Sequence, residues 1–388
     1  MPSKYIKNVF YSNFGILWLL VFVMKFAFVS YNYSGDFSSP ESWLKRIEGY
    51  AGVYEWLAKT DTVEDVHQID YKGEYTHKGV QYHFVDFGKR PKYFPRKLNR
   101  FVRDLNPDIV VIHGLHQPLQ LMQLRFLLPG STKIIVQHHA EKPFGGIKKY
   151  VQRMAGYYTD AYLFAAAALG RDWVSKGNLS DPRKIHEVME TSSIFYPMDR
   201  EPAKLKTGAK GDPVFLWVGR LNENKDPLNV VRAFLKFTLT RPSARLYMIY
   251  HTEELLSAIR ELLKEHVNTD TVILVGQVPH EDLLYWFNSA DFMLSGSYYE
   301  GSGTAVCEAM SCGCIPIVTD IFSFRMITDN GKCGILYEAG NGPALLEALR
   351  ATDEMDLQEK RRLCLEHFRS NLSFEAIAAR FHEIAASL

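Results

Sequence analysis

The stretch that runs from a turn into a helix reads Glu300-Gly-Ser-Gly-Thr-Ala-Val-Cys-Glu308-Ala-Met-Ser-Cys-Gly-Cys-Ile-Pro-Ile317. Gly301 and Gly303, on either side of Ser302, let the backbone approach a ligand closely. The helix that the pattern predicts from Thr304 leaves unpaired N–H groups in its first turn, and such groups bind anions. The stretch therefore predicts a site for a diphosphate, with one carboxylate on each side of it.

The two carboxylates are about two helical turns apart. Glu308, inside the predicted helix, can accept hydrogen bonds from paired ribose hydroxyls, and Glu300, at the tip of the turn, would face the hydroxyls of a sugar. Taken alone, two glutamates at this spacing more often belong to a capped surface helix. The surrounding sequence decides in favour of a binding site.

A basic pair follows a predicted strand further upstream. The β-branched and aromatic run Val214–Val218 ends in Gly219, so that Arg220 and Lys225 lie in a loop at the carboxyl end of a strand. Open α/β sheets bind ligands at that edge. A planar guanidinium with an ammonium point charge suits a pyrophosphate leaving group. We expect this pair and the glycine-rich turn to bind the same ligand.

Five further segments surround the turn. They are Val218–Pro227, Val275–Pro279, Ala290–Ser297, Gly313–Asp320 and Gly334–Tyr337. In this order and at these spacings, the C-terminal half resembles the retaining glycosyltransferases of family 4, which have the two-domain GT-B fold. The resemblance implies an enzyme that transfers a hexosyl group from a nucleoside-diphosphate sugar to a saccharide or lipid-linked acceptor, as in polysaccharide biosynthesis.

The resemblance also implies roles for the residues quoted above. Arg220 and Lys225 match the pair that holds the donor diphosphate, Glu300 matches the glutamate that contacts the sugar, and Glu308 matches the one that contacts the ribose. The segment with Gly276 and Val278 is expected beside the base. Family frequency favours a uridine diphosphate sugar, and neither a cofactor nor a metal is expected.

Two rival classes of function stay open. One is a nucleotide-sugar epimerase or hydrolase on the same fold, and the other is a nucleotide-sugar-binding partner subunit without catalysis. The glycine-rich turn and the basic pair would look the same in all three. Release of nucleoside diphosphate that depends on an acceptor distinguishes them.

Strands alternate with helical patterns in the first half of the chain. The predicted strands are Phe26–Ser30, Val80–Phe87, Asp108–His113, Lys133–Gln137, Ala161–Ala166 and Ile185–Met189, and Ser39 caps a helix that begins at Pro40. Such alternation implies a parallel sheet with helices on both faces. The predicted fold class is therefore α/β, with two Rossmann-like domains facing across a cleft and a C-terminal helix crossing back to the first domain.

Four histidines follow predicted strands of this half. His138 and His139 come directly after one strand, and His113 and His116 end or follow another, so all four could line the predicted cleft. His139 best matches the histidine that relatives present to the donor sugar, and His138 stays an alternative. A carboxylate at metal-ligand spacing is missing from the pattern, which argues against a metal site.

A basic run, Lys89–Arg103, carries seven cations and no acid. Such a run is most often the solvated face of a helix. The functional alternative is a dock for an anionic membrane or a lipid-linked acceptor, with Lys97 and Arg100 on it. Nucleic-acid binding is not predicted, because no recognition motif accompanies the charge. Residues 1–200 carry a net charge of +7 and residues 201–388 one of −6, which also favours an anionic partner for the first half.

Five cysteines lie in predicted core elements of the second half: Cys307, Cys312, Cys314, Cys333 and Cys364. Reduced, buried thiols are typical of a cytosolic protein. We therefore expect a cytoplasmic enzyme, peripheral at the inner face of the membrane.

The predicted organisation has five parts. They are an apolar extension (1–23), an N-terminal acceptor-side domain (24–197), a linker (198–212), a C-terminal nucleotide-sugar domain (213–370) and a helix that packs on the first domain (371–388). Two interpretations of the extension stay open, because its apolar run is short for a membrane span and lacks a cleavage site. Either translation starts at Met24, or the segment is a short helix on a membrane surface.

Overall fold

The computed structural model describes the backbone of residues 5–12, 15–86 and 94–388, and the side chains of residues 23–86 and 94–388. The chain divides into two compact units. Unit 1 comprises Met1–Glu190 and Ile377–Leu388, and unit 2 comprises Thr191–Ala376.

Unit 1 contains a two-stranded sheet (the first two strands), an eight-stranded sheet and helices. Its strands are β1 (Tyr5–Ser12), β2 (Gly15–Phe22), β3 (Lys25–Ser34), β4 (Thr62–Ile69), β5 (Gly73–His77), β6 (Val80–Phe84), β7 (Ile109–His113), β8 (Lys133–Gln137), β9 (Ala161–Phe164) and β10 (Ile185–Glu187). Its helices are α1 (Pro40–Leu57), α2 (Arg96–Asp104), α3 (Pro118–Arg125), α4 (Gly146–Ala155) and α5 (Ala167–Ser175). The strand order of the large sheet is β10-β9-β8-β7-β3-β4-β6-β5, and only β5, at one edge, runs antiparallel to its neighbour in that sheet.

All six predicted strands of the first half are present, the one predicted at Val80–Phe87 as β6; Phe87 lies outside the described residues. Ser39 caps α1 as predicted, its hydroxyl accepting from the Ser42 N–H at 3.2 Å. Strands β4 and β5 were not predicted. The buried side chains of β4 include Glu64, Asp65 and His67, so the strand lacks the apolar pattern by which strands are recognised.

Unit 2 contains a six-stranded parallel sheet in the order β13-β12-β11-β14-β15-β16. Its strands are β11 (Val214–Gly219), β12 (Arg245–Tyr250), β13 (Val272–Gly276), β14 (Phe292–Ser295), β15 (Ile315–Thr319) and β16 (Ile335–Tyr337). Its helices are α6 (Arg200–Thr207), α7 (Pro227–Thr238), α8 (Leu256–Lys264), α9 (Leu283–Ser289), α10 (Thr304–Ser311), α11 (Phe322–Ile327), α12 (Gly342–Arg350) and α13 (Leu357–His367), and α14 (Phe374–Ser387) ends the chain.

The segment predicted as a linker, 198–212, is different in the structure. It contains α6, belongs to unit 2 and packs on α9, and the division between the units falls at Glu190 instead. Ala203 of α6 is fully buried, and the Arg200 guanidinium pairs with the buried carboxylate of Asp291. The polar composition therefore reflects a helix held by an ion pair rather than a flexible connection.

The N-terminal extension is not the membrane-surface helix that one of the two interpretations predicted. Strand β1 pairs antiparallel with β2, so the segment is not a helix. Its second half is rich in leucine, isoleucine, valine and aromatic residues, most of which favour strands. The start of translation at Met24 stays a prediction. Among the helices that the structure describes, none is long and apolar enough to cross a bilayer.

The last helix returns to unit 1. The Ser373 hydroxyl accepts from the Ala376 N–H at 3.2 Å at the start of α14. Further along, the Phe381 ring lies 5.9 Å from that of Phe28 on β3, and His382 Nδ1 lies 2.9 Å from an oxygen of Asp61. This confirms the predicted crossing of the C-terminal helix.

Candidate active site

Two loops of unit 2 are joined at the carboxyl ends of neighbouring strands. Strands β11 and β14 pair in parallel, which brings the loops after them together. The Tyr298 N–H donates to the Asn224 carbonyl at 2.9 Å, and the Asn224 amide donates to the Tyr299 carbonyl at 3.0 Å. Beside these bonds, the Lys225 ammonium forms an ion pair with the Glu300 carboxylate. The structure thus brings together two of the predicted site residues.

Arg220, the other half of the predicted basic pair, opens the same loop. Its side chain is exposed, and its guanidinium makes no hydrogen bond or ion pair with the part of the chain that the structure describes. A Cβ at Gly219, the residue before it, would lie 3.2 Å from the Trp217 ring, so the ring would have to shift slightly. The two cations therefore differ, since Lys225 is already paired while the donors of Arg220 face solvent.

The glycine-rich turn ends in the helix predicted from its sequence. Gly303 is the N-cap of α10, which begins at Thr304, and it adopts a left-handed backbone with φ of +57°. A Cβ at Gly303 would meet Phe324 at 2.8 Å and Ile327 at 2.9 Å. No side chain could therefore replace the hydrogen without movement. The Val306 N–H donates to the Gly303 carbonyl at 2.9 Å. Since glycine has no capping side chain, the N–H groups of Thr304 and Ala305 are left for an anion.

The Ser323 hydroxyl holds the rest of the turn through its backbone carbonyls. Ser323 at the start of α11 donates to the Glu300 carbonyl at 2.6 Å and lies 3.1 Å from the Gly301 carbonyl. Gly301 and Ser302 are both buried. The turn is thus fixed against α11 before any ligand binds.

The second glutamate has a partner that sequence analysis missed. Glu308 is buried on α10, and its Oε1 lies 2.7 Å from His280 Nε2. His280 follows the loop after β13, in which Gly276 has φ of +85° with open space around it and Val278 is half-buried. Its position two residues after Val278 was the signal available in the sequence. The predicted ribose contact and base-side loop are thus linked by one histidine.

In unit 1, His139 lies in a chain of polar side chains. Its Nδ1 is bonded to the Glu190 carboxylate, and its Nε2 lies 2.8 Å from His113 Nδ1. The other nitrogen of His113 lies 2.8 Å from the Tyr54 hydroxyl. Of these four residues, the sequence indicated only the two histidines. Tyr54 and Glu190 were missed because they come from α1 and from the residues after β10.

The pKa values of His139 and His113 are shifted in opposite directions. Burial lowers the pKa of His139, but the charge and hydrogen bond of Glu190, with the charge of Glu141, raise that pKa above its ordinary value. Burial lowers the pKa of His113 well below its ordinary value, and the neighbouring His139 and His67 lower it further. When charged, His139 can therefore donate to both Glu190 and a neutral His113.

A second carboxylate fixes the backbone beside His139. Glu141 Oε2 accepts from the His139 N–H at 2.7 Å, and its Oε1 accepts from the Leu115 N–H at 2.9 Å. Gly114 allows this, because with φ of +92° a Cβ there would lie 2.6 Å from Glu141 Oε1. The loops after β7 and β8 are thus tied together. Glu141 was not among the predicted site residues.

His138 and His116 lie outside this series of hydrogen-bonded side chains. The His138 side chain is buried, with Nε2 3.0 Å from the Glu141 carbonyl. His116 stacks on Phe144 at 4.2 Å and is bonded through Nε2 to the Lys142 carbonyl. Of the four predicted histidines, the structure brings together His113 and His139.

Comparison with known proteins identifies the part of the chain that carries the glycine-rich turn. Residues 199–364 match the family model of the glycosyl transferases group 1. Within unit 2, these residues are therefore similar to the glycosyl transferases group 1. The match starts beside α6 and ends within α13, so the matched segment includes Arg220, Lys225, Glu300 and Glu308.

Curated relatives are glycosyltransferases with distant sequences. A D-inositol 3-phosphate glycosyltransferase of Nocardioides sp. is 26% identical over 46% of this chain and 42% of its own length. The N-acetylgalactosamine-N,N'-diacetylbacillosaminyl-diphospho-undecaprenol 4-alpha-N-acetylgalactosaminyltransferase of Campylobacter jejuni is 22% identical over 71% of this chain and 75% of its own. The GDP-mannose:cellobiosyl-diphosphopolyprenol alpha-mannosyltransferase of Xanthomonas campestris is 25% identical over 54% and 59%. The chain thus spans less than two thirds of the first and third of these relatives.

Solved structures resemble the chain over nearly its whole length. A glycosyltransferase from Rickettsia africae has a TM-score of 0.71 at 14% identity, covering 94% of this chain and 98% of that one. Anabaena HepE, solved with UDP and glucose, has a TM-score of 0.68 at 13% identity, covering 94% and 100%. Identities this low show the fold alone. The structural likeness confirms the predicted α/β fold of GT-B type, with two parallel-sheet domains.

The cysteines of the matched segment are free and buried, as predicted: Cys307, Cys312, Cys314, Cys333 and Cys364. Burial raises the pKa of Cys312 to about 12 and that of Cys333 to about 11. Thiols that stay protonated at neutral pH are poor nucleophiles and poor metal ligands. We therefore assign them to packing in the domain core.

One group of residues in unit 1 has the chemistry of metal ligands. Asp65, His67 and His113 place ligand atoms within 4.8 Å of one another. The buried Asp65 carboxylate accepts no hydrogen bond from the described residues, although His67 Nε2 is 3.1 Å away. A metal would have to displace Tyr54 or His139 from His113, because both nitrogens of that ring are already bonded. The absence of a metal stays a prediction.

The predicted basic dock is only partly described. Residues 89–93 of the run lie outside the described residues. Lys97 and Arg100 lie on the exposed face of α2, whose buried residues are Leu98, Asn99 and Val102. These positions fit a solvated helix face as well as a dock.

Proposed function

We propose that this protein is a glycosyltransferase that transfers a hexosyl group from a nucleoside-diphosphate sugar to a saccharide or lipid-linked acceptor, with retention of configuration. One observation carries the proposal. In the segment similar to the glycosyl transferases group 1, the glycine-rich turn before α10 stands between the Lys225–Glu300 pair and the Glu308–His280 pair. Such an arrangement offers an anion site with polar contacts for both ends of a nucleotide sugar.

The donor diphosphate is the leaving group, and negative charge builds on it as the sugar departs. Lys225, Arg220 and the N-terminal end of the α10 dipole all stabilise that charge. A diphosphate also competes with Glu300 for Lys225. Release of Glu300 gives its carboxylate oxygens to the hydroxyls of the sugar, so that one ion-pair exchange supports both functions.

Glu308 receives the ribose in this proposal. Its hydrogen bond to His280 uses one carboxylate oxygen. The bond to His280 fixes the direction in which the Glu308 carboxylate points. A fixed acceptor loses less conformational entropy when the ligand binds.

On unit 1, we assign His139 a contact with the donor sugar, the role that the family resemblance implies. Glu190 and His113 hold its two ring nitrogens. The ring is therefore oriented before the sugar arrives. Glu190 also favours the protonated ring, which can donate from Nε2 to a sugar oxygen in place of His113.

Uridine diphosphate is the proposed nucleotide, as family frequency favours. HepE, which shares the fold, was solved with UDP, although the Xanthomonas relative is named for GDP-mannose. Two relatives are named for acceptors that carry a diphosphate on undecaprenol or polyprenol. These names support a lipid-linked acceptor, and with the buried thiols we propose a cytoplasmic enzyme that works at the inner face of a membrane.

Two measurements test the proposal together. Thermal shifts with uridine, guanosine and adenosine diphosphates should show one preferred base, and Arg220→Ala should reduce that shift. A ligand at a hundred times its Kd adds about 2.7 kcal/mol to stability, which such an assay detects. Donor turnover must then depend on an acceptor. Turnover without acceptor would indicate an epimerase or hydrolase, and binding without turnover a partner subunit.

A further inference from the structure

Helix α4 of unit 1, with the single helical turn Gly156–Tyr158 that continues it, exposes its apolar side chains. The exposed fractions are 81% for Ile147, 63% for Tyr150, 55% for Met154 and 78% for Tyr157. Their spacings of three, four and three residues place them on one face of the helix. We call this set the α4 face.

The opposite side of α4 is buried and carries Gln152 and Ala155. Gln152 donates from Nε2 to the Leu115 carbonyl at 2.8 Å and accepts from Asn178 Nδ2 at 2.8 Å. These bonds fix the rotation of the helix, because turning it would leave a buried amide without partners. An amphipathic helix at a protein surface ordinarily buries its apolar face. On the α4 face, four large apolar side chains face solvent instead, an arrangement that favours a partner outside this chain.

The apolar surface continues onto the neighbouring helix. Phe126, at the end of α3, is 74% exposed, and its ring lies 5.6 Å from that of Tyr158. Helix α3 packs on α4. Contiguous exposed apolar surfaces of this kind mark sites of interaction with a protein or a membrane.

The charges on α4 select between those partners. Its only charged residues are Lys148, Lys149 and Arg153, and none of them pairs with an acid in the described parts of the chain. If two copies of the chain met through this face, like charges would oppose one another across a symmetric interface. Lipid headgroups of negative charge match the cations, while aliphatic and aromatic side chains insert at the boundary of the acyl chains.

We propose that the α4 face docks this protein on an anionic lipid bilayer. The proposal deepens the proposed function. It rests on that function in one respect, the lipid-linked acceptor, which is presented at such a surface. It also moves the membrane contact from α2 to α4. Helix α2 is as basic, but it exposes no apolar stripe of its own.

Vesicle co-sedimentation of the full chain, without donor or acceptor, tests the docking. The probes are phosphatidylcholine vesicles with and without phosphatidylglycerol. We expect binding to the anionic vesicles only. The triple variant Lys148→Gln, Lys149→Gln, Arg153→Gln should bind about a hundredfold more weakly, since each cation near the surface contributes about fivefold. The variant Ile147→Ser, Tyr150→Ser should lose at least about tenfold, because its apolar groups no longer insert.

Two matched controls distinguish position from composition. Lys97→Gln with Arg100→Gln removes cations from α2, and Leu205→Ser removes an isolated apolar side chain that is 88% exposed on α6. Both controls should bind vesicles like the unaltered protein. Circular dichroism should show that every variant is folded.

Equal binding to neutral and anionic vesicles would overturn the proposal, as would unchanged binding by both α4 variants. A dimer seen by light scattering that the Ile147→Ser, Tyr150→Ser variant dissociates, without vesicle binding, would assign the face to self-association instead. Thermal shifts with nucleoside diphosphates are measured on the same variants. If a variant loses vesicle binding but nucleoside diphosphates still raise its melting temperature, the change concerns the α4 face alone. If the protein binds vesicles but no nucleoside diphosphate raises its melting temperature, the result counts against the proposed function alone.

Discussion

The Lys225 ammonium and the Glu300 carboxylate form an ion pair between the loops that follow β11 and β14. Sequence analysis assigned both residues to a donor, one to its diphosphate and one to its sugar. The structure adds that each neutralises the other in the absence of a ligand. Both charges are thereby held in position, and a bound diphosphate has to replace one half of an existing pair.

Replacement of Lys225 tests this exchange. Lys225→Ala should reduce turnover by about 100- to 1000-fold, because it removes a charge that stabilises the leaving diphosphate and leaves Glu300 as a nearby repulsive charge. Steady-state kinetics with saturating donor measures the loss. Lys264→Ala, which removes an exposed lysine paired with Glu261 on α8, is the control and should be neutral. Normal turnover in Lys225→Ala would refute the assignment.

Glu308 should contribute to donor affinity more than to turnover. In Glu308→Ala we expect the Kd for nucleoside diphosphate to rise about ten- to a hundredfold, because hydrogen bonds to a charged group contribute about 1.5–3 kcal/mol. Isothermal titration calorimetry gives this Kd directly. His280→Ala should weaken binding less, since it leaves the carboxylate in place. Glu261→Ala on the surface of α8 provides the control. A donor Kd that does not change in Glu308→Ala would exclude the ribose contact.

Gly303 and Gly208 form a matched pair for testing the turn. Both have left-handed backbones, but a Cβ at Gly303 would overlap Phe324 and Ile327, whereas one at Gly208 would meet nothing within 4 Å. Gly208→Ala should cost only the backbone penalty of about 1–2 kcal/mol. Gly303→Ala should cost more and should also weaken nucleotide binding, since the start of α10 must move. Thermal unfolding and titration measure the two effects, and equal stability losses would contradict the steric argument.

Glu190 should make stability depend on pH through His139. Because the pKa of His139 is raised in the folded chain, the stabilisation from this pair is fully present below about pH 6.5, the pKa of an unfolded histidine, and is lost as pH rises through the raised pKa. Glu190→Gln should therefore reduce the free energy of unfolding more at about pH 6 than at about pH 9. Denaturant unfolding at both pH values measures this difference.

The same variant should lower the pKa of His139 itself, which nuclear magnetic resonance of the imidazole signals can follow. His186 serves as an internal reference, since burial and Arg380 lower its pKa without involving Glu190. If the pKa of His139 were the same in Glu190→Gln, the carboxylate would have no part in holding the proton.

Removal of metals should leave the protein unchanged. Both nitrogens of His113 are bonded, so we expect no stoichiometric metal at Asp65, His67 and His113. Elemental analysis before and after dialysis against a chelator tests this, with thermal stability and turnover measured in parallel. One bound zinc per chain that Asp65→Asn abolishes would show the prediction of a metal-free enzyme to be wrong.

Much of the fold could be predicted because its signals are local. Ser39 and Pro40 mark the start of α1, and apolar runs followed by glycine mark the strands of unit 2. Strand β4 was missed because Asp65 and His67, two buried polar residues, interrupt its pattern. The segment 198–212 was misread because polar composition alone does not distinguish a linker from a helix held by ion pairs.

By itself, the sequence determined the α/β fold class, the turn before α10 and four of the residues around it, because glycine spacing, helix starts and strand ends depend on near neighbours. Only the tertiary structure decided which charges meet. Lys225 and Glu300 are 75 residues apart, His139 and Glu190 are 51 apart, and His280 and Glu308 are 28 apart. Such partners come together through the pairing and order of parallel strands, which no local pattern encodes.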